Sequence, residues 1–250
     1  MMLIFHSLRQ LLSSLVRLFF PLRCPLCGAL LRHGEEMLCL RCELDLPVTG
    51  FASRRGNPAE QLLLSKVPIV RGTSFFYYTK GDKYRDLILL LKYKERQDIG
   101  RWLGRMAGDM LLKEGFFKGI DLLVPVPLHP NRQKQRGYNQ SLCIAQGIAE
   151  ATGIPIDAHS LYRSVRTQTQ TRKQRAERWE TMRNVFSVNP EAQIKGKHLL
   201  LIDDILTTGA TLTACAEAIL QTSHVPQSGD SMQSDMPRIS IFTLGFAQHG

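Results

Sequence analysis

Residues 198–206 read HLLLIDDIL, and TTGAT follows at 207–211. The run from Leu199 to Ile202 is unbroken by any polar residue, with Asp203 and Asp204 directly behind it. Such a run predicts a strand over 198–202 buried on both faces, which requires a parallel sheet with helices on each side. The acid pair then falls at the strand's C-terminal end, where open α/β sheets bind their ligands. Thr207, Thr208, Gly209, Ala210 and Thr211 form a short loop of small and hydroxylated residues that opens a helix. Free backbone N–H groups and the helix dipole make such a loop a phosphate cradle. A plain strand–turn–helix with Asp and Thr caps accounts poorly for two adjacent carboxylates, which repel each other at a buried strand end. The pattern suits a phosphorylated sugar, its hydroxyls on Asp203 and Asp204 and its phosphate on residues 207–211.

The remainder of the chain supports an α/β architecture. Strand patterns at 73–79, 121–126 and 238–244 alternate with helical patterns at 84–93, 139–152 and 211–221, and Trp102, Leu103, Met106, Met110 and Leu111 mark a further helix. Phe75, Phe76, Tyr77 and Tyr78 either stack on a base or fill a core, and their place in a strand favours the core. At 250 residues and 44% hydrophobic content, the chain is neither disordered, collagenous nor a coiled coil. Residues 1–23 place Phe5, Leu8, Leu12, Leu15 and Phe19 on one helical stripe. Arg9, Arg17 and Arg23 interrupt it too often for a membrane span, and no small-residue cleavage site follows. An amphipathic helix is expected there. Residues 48–67 are polar and read as a linker, which starts the α/β domain at 68, and residues 222–237 read as a surface loop.

Six cysteines separate into four and two. Cys24 and Cys27, then Cys39 and Cys42, form two CxxC pairs separated by 11 residues. Two knuckles of this kind complete a tetrahedral four-thiolate site, so a structural zinc ribbon is expected over 24–47. Gly28 eases the first knuckle, whereas Glu43 stands where the second would use a glycine. A thioredoxin-like redox pair needs a preceding strand and a following long helix, neither visible, and disulfides are disfavoured without a secretion signal. Cys143 and Cys215 sit in apolar helical contexts and read as buried small hydrophobes.

The charge is concentrated. Of 32 basic and 22 acidic residues, the stretch 51–200 holds 26 and 13, so an anionic partner is expected to meet the middle of the chain. Arg132, Lys134 and Arg136 follow a proline-stopped strand in a loop suited to a diphosphate or a nucleic-acid backbone, although a solvated basic loop has the same composition. His129 reads as turn structure. Residues 163–183 are rich in Arg, Gln and Thr, with Arg166, Arg172 and Lys173 among them.

Four segments in this order, CPLCG with CLRC, VPVPLHPNRQKQRGYNQS, RTQTQTRKQRAERWETMRNVF and LLLIDDILTTGAT, resemble the ComF/GntX family of competence and DNA-utilisation proteins. That family joins an N-terminal double zinc ribbon to a type I phosphoribosyltransferase-like domain. The resemblance implies that Asp203, Asp204 and residues 207–211 bind phosphoribosyl pyrophosphate (PRPP) with Mg²⁺. It further implies that Arg132, Lys134 and Arg136 hold pyrophosphate and that 163–183, with Arg166, Arg172 and Lys173, form a hood over the site. A cytoplasmic role with incoming DNA, single-stranded DNA and other uptake proteins as partners goes with it. Purine-type relatives carry a further carboxylate where this chain has Thr207, so neither the acceptor base nor catalysis itself is specified. The alternatives are a phosphoribosyltransferase and a non-catalytic nucleotide- or DNA-binding protein.

Overall fold

The computed structural model describes residues 21–93, 96–163, 185–222 and 236–248. The chain forms two compact units, residues 1–47 and 48–250.

The first unit is built on two cysteine turns. Leu22 to Leu31 is a small hairpin in which Arg23 bridges to Leu30 and the Leu31 N–H donates to the Leu22 carbonyl at 2.9 Å. The expected N-terminal helix therefore does not include Leu22 and Arg23, and its residues 1–20 lie outside the described residues. Gly28 closes the first turn at φ 73°, a left-handed geometry that a side chain would strain. The second pair is carried by α1 (Leu40–Leu44) with Cys39 as its N-cap, which explains why Glu43 is tolerated: this knuckle is a helical turn and needs no glycine.

The second unit is an α/β fold. Its elements are a 3₁₀ turn (Phe51–Ser53), α2 (Pro58–Leu64), β1 (Arg71–Tyr78), α3 (Arg85–Tyr93), α4 (Gln97–Lys113), β2 (Leu122–Pro125), α5 (Pro130–Arg136), α6 (Gln140–Thr152), β3 (Leu161–Arg163), β4 (Phe186–Val188), β5 (His198–Leu206), α7 (Ala210–Gln221) and β6 (Arg238–Ala247). Strands β1, β6, β5 and β2 lie in that order, every pair parallel, while β3 and β4 form a separate antiparallel pair. Both edges of the main sheet are partly covered: Thr49 N–H donates to the Phe75 carbonyl beside β1, and Ile156 bridges to Leu123 beside β2. Covering an edge removes a template for unwanted strand pairing.

The apolar run in β5 is fully buried, as its composition requires. Leu199 and Leu201 pack with Leu212, Cys215 and Ile219 of α7 and with Leu161 and Phe186 of the antiparallel pair. On the opposite face α6 packs against β2 and β5, and α4 lies against α6. That helix pair meets backbone to backbone: a Cβ on Gly104 would stand 2.2 Å from the Ile144 carbonyl oxygen, and one on Gly147 would stand 2.0 Å from the Arg101 carbonyl oxygen.

Residues 48–67 are not a linker. The turn at Phe51 and helix α2 dock on β1, burying Phe51, Ala59 and Leu63. Two polar residues of this stretch, Asn57 and Glu60, are buried too, because each serves the backbone. Asn57 caps α2 and donates to the carbonyls of Phe51 and Gly72 at 3.1 and 2.9 Å. Glu60 accepts from the N–H groups of Gly56 and Gly72 at 2.6 and 3.1 Å. The α/β unit therefore begins at 48 and not at 68.

No helix among the described residues is long and apolar enough to cross a membrane. Of the surface loop expected at 222–237, residues 223–235 lie outside the described residues; Thr222 closes α7.

Candidate functional site

Strand β5 continues past the apolar run to Leu206, so Asp203 and Asp204 are the sixth and seventh of its nine residues and are not at its end. The extension follows from β6, which pairs with β5 as far as Leu206 opposite Phe246. Successive strand residues face opposite sides of a sheet. Asp203 shares the side of Leu199 and Leu201, where its charge helps raise the Cys215 thiol on α7, after burial itself. Asp204 turns to the other side and meets α3, where Lys92 Nζ lies 2.9 Å from its Oδ2 with both side chains largely buried.

Asp203 is the more perturbed of the two. Burial and the neighbouring Asp204 charge push its carboxyl from the ordinary 3.8 up to about 7. Opposing this, its Oδ1 accepts from the Asp204 N–H at 2.9 Å and from the Ser141 hydroxyl at 3.1 Å. Ser141 lies in the first turn of α6, placed there by Asn139, whose Oδ1 caps the helix and whose Nδ2 donates to the Val126 carbonyl at 3.0 Å.

The loop after β5 is open. Thr207, Thr208, Ala210 and Thr211 are exposed, and Gly209 is buried. Gly209 is at φ 75°, and a Cβ there would stand 2.7 Å from Leu63 Cδ2 on α2, so glycine is required on two counts. The Lys66 ammonium donates to the Thr208 carbonyl, which adds a cation to the cradle.

Arg132, Lys134 and Arg136 stand on a short helix and not in a loop. Pro130 occupies its first turn, His129 caps it by accepting from the Asn131 N–H at 3.2 Å, and Gly137 ends it at φ 77°. Arg132 and Lys134 are exposed, whereas Arg136 donates to Gln140 Oε1 at 2.9 Å and lies 5.4 Å from the Tyr93 ring centroid. Arg163, at the end of β3, stacks 5.3 Å over Phe186. Burial, then the positive charge of Arg132, lowers its pKa, so two cations face one another across β3 and α5. Arg166, Arg172 and Lys173 lie outside the described residues, but β3 and β4 bring the ends of that segment together, with Arg163 opposite Phe186.

Acids, cradle and cations therefore meet at one end of the sheet. Lys92, Ser141, Gln140 and Tyr93 were missed from the sequence. Lys92 and Tyr93 close an apolar helical pattern that reads as packing, and only their contacts with Asp204 and Arg136 reveal them. Phe75 and Phe76 are core, as expected.

In the first unit the sulfurs of Cys24, Cys27, Cys39 and Cys42 all lie within 4.8 Å of one another. Sulfurs bound tetrahedrally at about 2.3 Å from a metal stand about 3.8 Å apart, so the four fit one ion with little adjustment. Cys24 is brought down to about 7: burial opposes this, but the N–H groups of Cys39, Leu26 and Cys27 outweigh it. Burial and the other three thiols push Cys42 up to about 12. Losing their protons together, four sulfurs packed this closely could hold one metal ion. Cys143 and Cys215, in the second unit, are buried and free.

The segment 141–224 matches the family model for the phosphoribosyl transferase domain. DNA utilization protein YhgH of Salmonella typhimurium is 28% identical over 79% of this chain and 84% of its own length. Competence protein F of Haemophilus influenzae is 26% identical over 80% of this chain and 92% of its own. Among solved structures, glutamine PRPP amidotransferase from B. subtilis aligns over 62% of this chain and 39% of its own, at 21% identity and a TM-score of 0.37. Competence protein ComFC of Bacillus subtilis shares 33% of residues over 79% of this chain and 71% of its own length, and on that likeness the chain belongs to the ComF family.

Proposed function

We propose that the acid-pair site binds a phosphorylated ribose, PRPP with Mg²⁺ being the ligand it suits best. The observation that carries the reading is the convergence on one sheet end of a half-buried acid pair, an open helix-N-terminal loop and facing cations. Asp203 and Asp204 would accept from the ribose hydroxyls, and the exposed backbone at 207–211 would take the 5′-phosphate. Arg132, Lys134 and Arg136, with Arg163 beside them, would hold a diphosphate by charge-assisted bonds. Asp203 and Asp204 supply the carboxylates that would hold a divalent ion once Lys92 turns aside from Asp204; bound there, Mg²⁺ would neutralise the diphosphate. If a nucleophile then attacks C1′, electrostatic stabilisation of the departing diphosphate would supply most of the rate. Among the described residues no group of the site is placed to activate an acceptor, so we propose ligand binding as the primary activity and transfer as its extension. The hood at 163–183, with Arg166, Arg172 and Lys173, would close over the bound ligand.

The four cysteines would hold Zn²⁺ as a structural ion, since four thiolates leave no open position for chemistry. The setting we infer is cytoplasmic handling of DNA during uptake or utilisation, alongside other uptake proteins, supported by the names of the relatives. A second reading, in which the basic stretch binds single-stranded DNA, is favoured by the excess of 26 basic over 13 acidic residues across 51–200. Backbone binding of that kind weakens steeply with salt.

Calorimetry with Mg²⁺-PRPP on the wild type and on Asp204→Asn tests the primary reading. Binding by the wild type that falls at least tenfold in the variant is expected, and absence of heat from the wild type overturns it. If the ligand binds, pyrophosphate release in the presence of a panel of bases distinguishes an enzyme from a binding protein.

A further inference from the structure

The side chains around the acid pair close on themselves. Asp203 meets Ser141, Ser141 follows Gln140, Gln140 holds Arg136, Arg136 lies over Tyr93, Tyr93 follows Lys92, and Lys92 returns to Asp204. Six of these seven residues are charged or hydrogen-bonding groups with partners inside the ring. Tyr93 differs: it is a large aromatic residue left 67% exposed at the end of α3.

A second observation lies two steps along the same ring. Gln140 is 2% exposed, its Oε1 is taken by Arg136, and its Nε2 has no hydrogen-bond partner among the described residues. A buried amide donor without an acceptor is costly and calls for a reason.

The two observations narrow the chemistry. A phosphate offers acceptors but no flat face for Tyr93, and a hydrocarbon offers a face but no acceptor for Gln140. A nucleobase offers both, a π-face and ring-edge carbonyls or nitrogens, and guanidinium–aromatic contacts such as that of Arg136 with Tyr93 accompany base stacking. The four aromatic residues in β1 are excluded as the platform. Phe75 and Phe76 are buried, Tyr77 packs into the core, and the Tyr78 hydroxyl accepts from Arg85 Nε at 3.3 Å.

We propose that Tyr93 is the platform on which a nucleobase stacks at the rim of the acid-pair site, with the Gln140 amide reading the base edge. The assignment rests on the ribose-phosphate reading, because it takes the base to be attached to, or delivered beside, the ribose held by Asp203 and Asp204. It names Tyr93 as a specificity-determining residue and the ligand class as nucleotides.

The test compares ligands with and without a base. Calorimetry with Mg²⁺ measures ribose 5-phosphate, AMP and UMP on the wild type, Tyr93→Leu and Tyr93→Trp. The wild type should bind the nucleotides more tightly than ribose 5-phosphate. Tyr93→Leu should weaken the nucleotides about tenfold and leave ribose 5-phosphate within about twofold, because base stacking is worth about 1–3 kcal/mol. Tyr93→Trp should retain nucleotide binding, with its tryptophan fluorescence quenched by AMP and unchanged by ribose 5-phosphate. Equal binding of all three ligands by the wild type, or equal loss in Tyr93→Leu, overturns the Tyr93 assignment and leaves the ribose-phosphate reading standing. No binding of any ligand by the wild type overturns both. A single-stranded oligothymidylate arm identifies the source of the base: loss of oligonucleotide affinity in Tyr93→Leu without loss for UMP assigns the platform to DNA and overturns its assignment to the nucleotide site.

Discussion

Asp203 should govern how the stability of the α/β unit varies with pH. Its carboxyl titrates near 7 in the folded chain, against an ordinary value of 3.8, because burial and the Asp204 charge disfavour ionisation. The folded chain thus keeps a proton that the unfolded chain has released. This contribution to stability is full below about pH 4 and is lost as the pH rises to about 7. Three units at about 1.36 kcal/mol each set the loss at up to about 4 kcal/mol. Asp203→Asn removes the charge while its Oδ1 still accepts from Ser141 and the Asp204 N–H. The stability of the variant relative to wild type should therefore increase by up to about 4 kcal/mol between about pH 4 and pH 8. Urea unfolding followed by tryptophan fluorescence at several pH values measures this. Protonation of the ribbon cysteines is common to both proteins and cancels in the difference. Two stability curves that run parallel across the range would show that Asp203 ionises normally and would refute the reasoning. The same group ties binding to pH: a ligand that needs the carboxylate anion must release a proton near neutrality.

Three further outcomes are expected. Lys92→Met strands the Asp204 carboxylate and removes a cation that lowers the Asp203 pKa. It should destabilise the chain by about 2 kcal/mol at pH 8 and raise the midpoint of the Asp203 transition; an unchanged midpoint contradicts the pairing. Gly147→Ala places a Cβ 2.0 Å from the Arg101 carbonyl and 2.6 Å from the Arg105 nitrogen. Overpacking of this severity should cost about 3 kcal/mol and lower the melting temperature by about 6–12 °C, despite alanine's higher helix propensity. A melting temperature within about 2 °C of wild type would mean that the helices are not in backbone contact. Metal analysis should find about one zinc per chain and almost none in a Cys39→Ser, Cys42→Ser double variant; metal retained by that variant would place it elsewhere.

What could be seen in the letters depended on whether a residue's chemistry served its surroundings or the chain itself. The β5 run was legible because four apolar residues in succession admit no exposed face, and the cysteine knuckles because thiol pairs at that spacing have few other uses. Residues 48–67 were misread because the polarity of Asn57 and Glu60 is spent on backbone N–H and carbonyl groups, so polar letters conceal a buried helix. The helix at 130–136 was signalled by Pro130 at its first turn and Gly137 past its end, the usual asymmetry of helix termini. Its basic residues nevertheless drew the reading toward a loop. The acid pair was placed at the strand end because the length of β6, which extends the pairing, cannot be read from β5. Lys92 and Tyr93 belong to the site only through the third dimension.

The opposed facing of Asp203 and Asp204 has a mechanical consequence. Asp203 is held by Ser141 of α6 and acts on Cys215 of α7, while Asp204 is held by Lys92 of α3. A molecule gripped by both would tie these helices to one point at the C-terminal half of β5, as a removable cross-link. Occupancy would then register as slowed amide exchange in α7 and α3 together, and a small sugar phosphate would report its presence to both outer surfaces of the domain.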